Sequence, residues 1–161
     1  MDHLWSPWRY QYVSKAGPPA ACIFCTKASE QRDRENYVVY RGARNFAILN
    51  LYPYSTGHLM VAPYEHLASL GAAPAETVEE MMRIARLAEI HLRAVYNPQG
   101  FNLGMNVGES AGAGVPGHIH LHVLPRWTGD TNFMTTVGET RVVPEILDVT
   151  YEKLKKSFEH V

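Results

Sequence analysis

The sequence predicts an α+β fold, in which a five-stranded, mainly antiparallel sheet is combined with one long helix and a second helix near the C-terminus. Three observations predict it. Short β-rich segments separated by Gly, Pro, Ser and Thr occur on both sides of residues 74–96, where the apolar residues change to the period of a helix. The chain has 161 residues, 46% of them hydrophobic, which suits one domain with a sizeable core.

The first part of the chain supplies three strands in succession. Residues 1–21, rich in aromatic residues and then in Gly and Pro, predict an N-terminal extension laid over a single domain of residues 22–161. Residues 30–36 are polar and charged, as in a loop or a short helix. The first three strands are predicted at 37–41, 45–52 and 57–64, and their succession favours antiparallel pairing.

The long helix is predicted from Pro74 to Tyr96. Pro74 suits the first turn, and Asn97–Pro98 stops the helix. Residues at helical spacing form one apolar stripe for the core or a subunit interface: Val78, Met81, Met82, Ala85, Ala88, Leu92 and Val95.

Two strands and a helix complete the fold. The strands are predicted at 100–108 and 118–126, with a glycine-rich loop between them. A closing helix is predicted over 144–158, with Pro144 first. Its inward residues are Ile146, Leu147, Leu154 and Phe158.

Charge and hydropathy exclude several classes of partner. The formal net charge is −1 with histidines neutral, and basic residues do not cluster, so we expect no nucleic-acid partner. The longest apolar runs are far shorter than a membrane span. The sequence "MDHLWSPWRY" lacks the apolar core of a secretory signal. We therefore expect a cytoplasmic protein with no membrane partner.

Three histidines at alternate positions, His118, His120 and His122, carry the chemistry of this sequence. On a helix, residues two apart point to opposite sides, whereas on a strand they line one face about 7 Å apart. The intervening Ile119, Leu121 and Val123 then pack into the core. The alternation therefore predicts a row of imidazoles on a strand of fixed register.

The loop before this row, "GESAGAGVPG" over 108–117, can turn several backbone N–H groups toward one point. Such a loop binds anions, and we count Gly112 and Gly114 among the substrate-binding residues. A row of imidazoles alone suits metal or phosphate. Neutral imidazole attacks phosphorus well, and neighbouring donors offset the charge that develops on the equatorial oxygens. The combination predicts covalent transfer at phosphorus.

The only two cysteines, Cys22 and Cys25, form the motif "CIFC". This spacing occurs in zinc half-sites and in redox pairs, and also by coincidence. No strand signal precedes it, which disfavours a thioredoxin-like redox pair. Two ligands cannot close a structural zinc site, so the zinc interpretation requires two partners elsewhere, for which histidines are the candidates.

"HIHLHVLPR" resembles the motif of the histidine triad (HIT) superfamily of nucleotidyl hydrolases and transferases. "NFAILNLYPYSTGHLMVAP" is similar to the strands that carry the nucleoside pocket of that family, especially in its fragile-histidine-triad branch. "LWSPWRY" with "CIFC" resembles a bacterial branch, some of whose members split diadenosine tetraphosphate. The resemblance runs from about Cys22 to Arg126 and implies a single HIT domain and a homodimer.

By position, the resemblance assigns His120 as the nucleophile that takes the nucleoside monophosphate. It places His122 and His58 on the α-phosphate, and Asn50 on the ribose hydroxyls. Asn106 is expected near the scissile bridge. We expect the second ring nitrogen of His120 to donate to a backbone carbonyl, which would fix its tautomer.

Zinc-bearing relatives in the superfamily imply a structural zinc held by Cys22, Cys25, His66 and His118. His118 is thus a candidate for both zinc and substrate, and these two roles conflict. The chain also departs from many relatives, because residues 113–116 replace the polar side chains that often precede the triad. The acceptor therefore stays open: water makes a hydrolase, and inorganic phosphate makes a phosphorylase.

The resemblance implies cleavage of dinucleoside polyphosphates such as diadenosine tetraphosphate. Two alternatives are a purine nucleoside phosphoramidase and a zinc-stabilised nucleotide-binding protein with little catalysis. Trp127 is expected to pack onto the domain and Arg126 to be solvated. The remaining histidines are expected at the surface: His3, His91 and His160.

Overall fold

A computed structural model describes residues 21–132, 135, 137–138 and 145–159. Its centre is a sheet with the strand order β1-β2-β3-β5-β4, and every neighbouring pair is antiparallel. The strands are β1 (Val38–Arg41), β2 (Asn45–Leu49), β3 (Leu59–Pro63), β4 (Gly100–Gly104) and β5 (Leu121–Arg126). The helices are α1 (Ile23–Ser29), α2 (Asp33–Asn36), α3 (Ala75–Tyr96) and α4 (Leu147–Phe158). The predicted fold class is confirmed.

Two strands are shorter than the sequence pattern suggested. The strand predicted over 45–52 ends at Leu49, because the Asn50 side chain accepts the Tyr52 N–H (2.9 Å) and turns the chain. The strand predicted over 118–126 begins at Leu121. Here the Ile119 N–H donates to the carbonyl of Leu67 (2.7 Å) instead of to β3.

Two more predicted strands, 57–64 and 100–108, are also shorter in the structure, at Leu59–Pro63 and Gly100–Gly104. The strand predicted over 37–41 begins one residue later, at Val38. Beyond Gly104 the chain leaves the ladder with β5, whose last register pair is Gly104 with His122. The pairing therefore ends at the triad, and the chain from 105 to 120 is free to form the loop beside it.

The two faces of the sheet have different neighbours. One face packs against α3 and α4 in a core that includes Leu59, Val61 and the alternating Ile119, Leu121 and Val123. The opposite face carries a smaller apolar cluster around Phe24 of α1, together with the histidines. Strand alternation therefore separates the structural core from the polar site.

Three predictions about the helices are wrong in detail. Met82 is 52% exposed, and the side chain that completes the stripe on α3 is the buried Ile84. Ile146, predicted to face inward, is 69% exposed, because α4 begins only after it, at Leu147. His91, expected at the surface, is buried against Phe158, and its Nδ1 lies 2.8 Å from the hydroxyl of Ser157. It thereby joins α3 to α4.

Several predictions concern residues outside the described part of the chain. These are the N-terminal extension over 1–20, Pro144, His3 and His160. Within the described part, no helix is long and apolar enough to cross a bilayer.

A buried carboxylate fixes α3 to the turn between β1 and β2. Glu80 accepts the backbone N–H groups of Ala43 (2.9 Å) and Arg44 (2.7 Å) and the side-chain amide of Asn45 (2.9 Å). Burial raises the pKa of Glu80, but these hydrogen bonds outweigh it, and the net pKa is lowered. The carboxylate therefore stays charged while the protein is folded.

Replacing Glu80 by alanine is expected to lower the free energy of unfolding by about 3 kcal/mol, because three donors lose their acceptor in a buried place. Urea unfolding followed by circular dichroism measures this loss. The neighbouring Glu79 is exposed, so Glu79→Ala is the control and should stay within about 0.5 kcal/mol of wild type. Equal stabilities for the two variants would contradict the role given to Glu80.

Candidate active site

The side chains of His120 and His122 lie on the face of the sheet that points away from α3. Their ring centroids are 4.9 Å apart, and the ring of His58, from the end of the loop before β3, lies 5.0 Å from that of His122. His118 precedes them on the same stretch of chain, and all four imidazoles are buried. Register explains this meeting, because His122 is paired with Met60, two residues from His58.

Backbone groups fix the tautomers of these rings. Nδ1 of His120 lies 2.9 Å from the carbonyl oxygen of His118, which can only accept, so Nδ1 carries the proton and Nε2 holds the lone pair. On the other side, the backbone N–H of Tyr54 donates to Nδ1 of His58 (3.1 Å). Nε2–H of His58 therefore donates to Nδ1 of His122 (2.8 Å). This chain leaves the proton of His122 on Nε2.

Burial keeps the two central imidazoles neutral. It lowers the pKa of His120, although the hydrogen bond to His118 acts in the opposite direction. It also lowers the pKa of His122 to about 4, with a smaller contribution from His120 nearby. At neutral pH the site thus offers an imidazole lone pair on His120 beside an imidazole N–H donor on His122.

Because attack requires the neutral imidazole of His120, whose pKa is lowered by burial, activity is expected to survive well below the ordinary imidazole pKa of about 6.5. The rings packed around that of His122 are those of His58, His120 and Tyr54. We expect the acid limb of kcat/KM to lie below pH 6.5, because burial lowers the pKa of both His120 and His122. A pH–rate profile between 4.5 and 8.5 checks this, and an acid limb centred near 6.5 would contradict it.

A cavity opens directly at His122. It has a volume of about 270 Å³ and is lined by His122, Asn106 and Tyr54 among others. The structure thus brings the predicted Asn106 to the same cavity as His122, the triad histidine that lines it. A larger cavity of about 640 Å³ shares Tyr54 with it and is further lined by Arg126 and Trp127. Their combined size suits a ligand as large as a nucleotide or more.

The larger cavity is nearly balanced in charge. Arg126, expected to be solvated, pairs with both carboxylate oxygens of Asp130 (2.5 and 2.8 Å). Asp130 also accepts the backbone N–H of Trp127 (3.2 Å), which sets the turn carrying the indole. Glu145 forms an ion pair with Lys153. Compensated charges and aromatic rings favour an uncharged group of a ligand here over a phosphate.

Of the other predicted substrate residues, Asn50 contacts His58, whereas Gly112 and Gly114 line neither cavity. The side-chain nitrogen of Asn50 lies 3.4 Å from Nδ1 of His58. The glycine-rich loop contains a turn over Glu109–Ala111, and Gly112 adopts a φ of +82°, which favours glycine. The N–H of Gly112 donates within the loop to Glu109 (2.8 Å). Gly114 is exposed on the same loop.

A second cluster lies behind the triad. Cys22 precedes α1 and Cys25 lies within it, so "CIFC" opens a helix. Nδ1 of His118 is 3.3 Å from Sγ of Cys22 and 3.6 Å from Sγ of Cys25, and Nδ1 of His66 is 3.3 Å from Sγ of Cys25. All four atoms lie within 4.8 Å of one another.

These distances fit a tetrahedral zinc ion. Zn–S bonds of about 2.3 Å and Zn–N bonds of about 2.0 Å at tetrahedral angles place sulfur and nitrogen about 3.5 Å apart. Gly117 makes room for the cluster, since a Cβ there would come within 3.3 Å of the His66 ring. Nε2 of His118 lies 2.9 Å from the carbonyl of Pro63, an outer partner typical of zinc-binding histidines. Both ring nitrogens of His118 are thus engaged away from the cavities.

Sequence reasoning missed two contributors to the site. Tyr54 acts through its backbone N–H, for which residue identity gives no signal. Phe24 lies inside the quoted "CIFC" motif and packs on the triad. Its position between two cysteines, on a helix that must bury one side, was the available signal.

Comparisons with known proteins agree with this geometry. A family model described as "HIT domain" matches residues 31–129. The "AP-4-A phosphorylase" of Mycobacterium tuberculosis is 38% identical over 156 residues, covering 91% of this chain and 79% of that protein. A zinc-bound histidine triad family protein from Mycobacterium smegmatis has a similar structure, with a TM-score of 0.71 and 29% identity over 87% of this chain and 94% of that one. A hypothetical histidine triad nucleotide-binding protein from Sulfolobus tokodaii has a TM-score of 0.69 and 30% identity, over 86% of this chain and 93% of that one.

Proposed function

The chain belongs to the HIT domain family, and from this we propose that it cleaves dinucleoside polyphosphates, such as diadenosine tetraphosphate, through a covalent nucleotidyl-His120 intermediate. One observation carries the proposal. The ring of His120 is held in the tautomer that leaves the Nε2 lone pair available, beside a donor on His122 at the mouth of a cavity.

In the first step, Nε2 of His120 attacks the α-phosphorus, and the P–O bond to the rest of the substrate breaks. The leaving nucleoside polyphosphate departs with the bonding electron pair on its oxygen. Nε2–H of His122 donates to that oxygen, and the carbonyl of His118 stabilises the positive charge on the His120 ring through Nδ1–H. A polyphosphate oxygen is a good leaving group, so a hydrogen bond from neutral His122 suffices.

In the second step, an acceptor oxygen attacks the phosphorus of nucleotidyl-His120, and the N–P bond breaks. Water yields AMP, and inorganic phosphate yields ADP. The name of the M. tuberculosis relative supports phosphate as the acceptor. The site would then bind the dinucleotide and inorganic phosphate in turn, with an uncharged part of the dinucleotide in the larger cavity and phosphates in the cavity at His122.

We assign His58 a positioning role. Its two ring nitrogens face the Tyr54 N–H and His122, so it acts on the substrate through His122. Asn50 and Asn106 are proposed to contact the ribose and the scissile bridge, and the loop with Gly112 and Gly114 the phosphates. The position of Asn106 on the cavity at His122 supports its part.

We further propose that Cys22, Cys25, His66 and His118 hold a structural zinc ion. Four protein ligands fill the coordination of zinc and leave no open position for substrate, so bound zinc would stabilise the fold and do no chemistry on phosphate. The zinc-bound relative from M. smegmatis and the ligand distances support this assignment. His118 is then a ligand of zinc and does not contact the substrate.

A homodimer is also proposed. Among the described residues, β4 pairs only with β5, and Leu103 on it is 43% exposed. Met82 and Ile90 add exposed apolar surface on α3. Cys22 and Cys25 form no disulfide bond, which supports our proposal of the cytoplasm as the compartment.

The test is product analysis. Purified protein is incubated with diadenosine tetraphosphate, with and without inorganic phosphate, and the nucleotides are separated by chromatography. We expect ADP plus ATP when phosphate is present. AMP plus ATP would identify water as the acceptor within the same mechanism. No turnover of any dinucleoside polyphosphate, alongside rapid cleavage of an adenosine phosphoramidate, would overturn the proposal.

A further inference from the structure

We propose that Phe24 is a positioning residue for the nucleophile, and that through it the zinc-binding helix holds the ring of His120 in its reactive orientation. The proposal rests on the function proposed above, in which His120 attacks phosphorus. It gives the "CIFC" element a part in catalysis beyond stabilising the fold.

Phe24 lies on α1 between the two cysteines and is buried, with 4% of its surface exposed. Its ring centroid is 4.8 Å from that of His120, with an angle of 35° between the ring planes. It is 5.2 Å from the ring of His118. One aromatic side chain thus covers both the nucleophile and a proposed zinc ligand.

The ring of His120 is held from two sides. Phe24 packs on it at a small interplanar angle, and His122 meets it edge-on at 71°. The hydrogen bond from Nδ1 to His118 sets the tautomer and one end of the ring. Rotation about the bonds of the His120 side chain would move Nε2 sideways, and the packed faces oppose this rotation.

Two of these restraints, the packing of Phe24 and the hydrogen bond to His118, depend on the cysteine helix. The carbonyl that accepts from His120 belongs to His118, whose own ring faces Cys22 and Cys25. Phe24 is carried by α1, whose first turn is tied by the cysteines. The last turn of α1 is tied by Arg41, which donates to the carbonyls of Ala28 (2.9 Å) and Glu30 (2.8 Å). The ends of α1 are therefore fixed, and Phe24 has a defined place over the nucleophile.

Misplacing a reacting atom by about 1 Å can cost a hundredfold in rate. Removing the Phe24 ring frees the His120 ring without removing the nucleophile, so we expect a partial loss. The loss should appear in kcat, because Phe24 contacts the His120 ring and lines neither cavity.

The experiment compares Phe24→Ala, Phe24→Val and Phe24→Leu with Ile23→Ala, a control on the same helix whose side chain is 42% exposed. For Phe24→Ala we expect kcat on diadenosine tetraphosphate to fall at least tenfold, with KM within about threefold and one zinc bound per chain. Phe24→Leu should recover most of kcat, and Ile23→Ala should stay within about twofold of wild type. If Phe24→Ala does not fold, kcat is compared between Phe24→Val and Phe24→Leu instead.

A second readout needs no substrate. The ¹⁵N shifts of the His120 ring, assigned by their loss in His120→Gln, report its tautomer and hydrogen bond. We expect a single Nδ1–H form in wild type and Ile23→Ala, and a mixture in Phe24→Ala. A folded, zinc-bound Phe24→Ala protein with wild-type kcat and wild-type ring shifts would overturn the inference. If wild type cleaves no dinucleotide, the proposed function fails, while the ring shifts still decide whether Phe24 holds His120.

Discussion

Replacing His120 by alanine is expected to lower kcat on diadenosine tetraphosphate about a thousandfold or more, because the variant has no lone pair to form the bond to phosphorus. KM should change far less, since Asn50, Asn106 and the loop remain. Steady-state kinetics with chromatographic detection of products measures both constants.

His91→Ala is a matched control for this variant. His91 is also a buried imidazole, but it lies on the other face of the sheet, between α3 and α4. Its replacement should reduce stability and leave kcat within about twofold of wild type. A His120→Ala enzyme that keeps more than a tenth of the wild-type kcat would show that another group forms the covalent bond, or that none does.

The second large effect is expected on stability. Replacing Cys22 by serine removes one of the four proposed zinc ligands, and we expect both loss of bound zinc and a fall in the melting temperature of about 10 °C. Structural zinc contributes directly to folding, and each kcal/mol lost shifts the midpoint of a chain of this size by about 2–4 °C.

Metal analysis and differential scanning fluorimetry on protein purified without chelator measure these two quantities. Ser29→Ala provides the comparison, because Ser29 is an exposed residue at the end of the same helix. It should bind one zinc per chain and melt with wild type. A Cys22→Ser protein that retains full zinc and an unchanged midpoint would contradict the four-ligand site.

The fold was predictable because two periodicities dominate the sequence. Alternation placed Ile119, Leu121 and Val123 in the core and the imidazoles on the opposite face, and this register is the one that the structure has. Strand ends were less predictable. The first pairing of β5 is lost because Leu67, far away in sequence, accepts from Ile119, and no local pattern shows such a bond.

Burial of individual side chains depended on neighbours that the sequence does not display. Met82 falls within an apolar stripe, yet the direction in which α3 packs exposes it and buries Ile84 instead. His91 is buried only because α4 covers it with Ser157 and Phe158. In both cases tertiary packing overrides the preference of the residue.

The candidate site also has a part that the sequence predicts and a part that it does not. Its reacting groups are recognisable from motif and resemblance, because chemistry requires those residue types. The contacts that orient these groups are not recognisable from the sequence. They come from the backbone N–H of Tyr54, the carbonyl of His118 and the packing of Phe24. A backbone group has the same chemistry in every residue, so only the fold reveals which one is used.

The most direct test of the account is to trap the covalent intermediate. Protein mixed with diadenosine tetraphosphate and quenched within milliseconds to seconds is analysed by intact-mass spectrometry and by peptide sequencing under conditions that preserve phosphoramidates. We predict one added adenylyl group, located on His120 and absent from His120→Ala. Steady turnover with no adduct at any quench time, or an adduct on a different residue, would contradict the central role of His120.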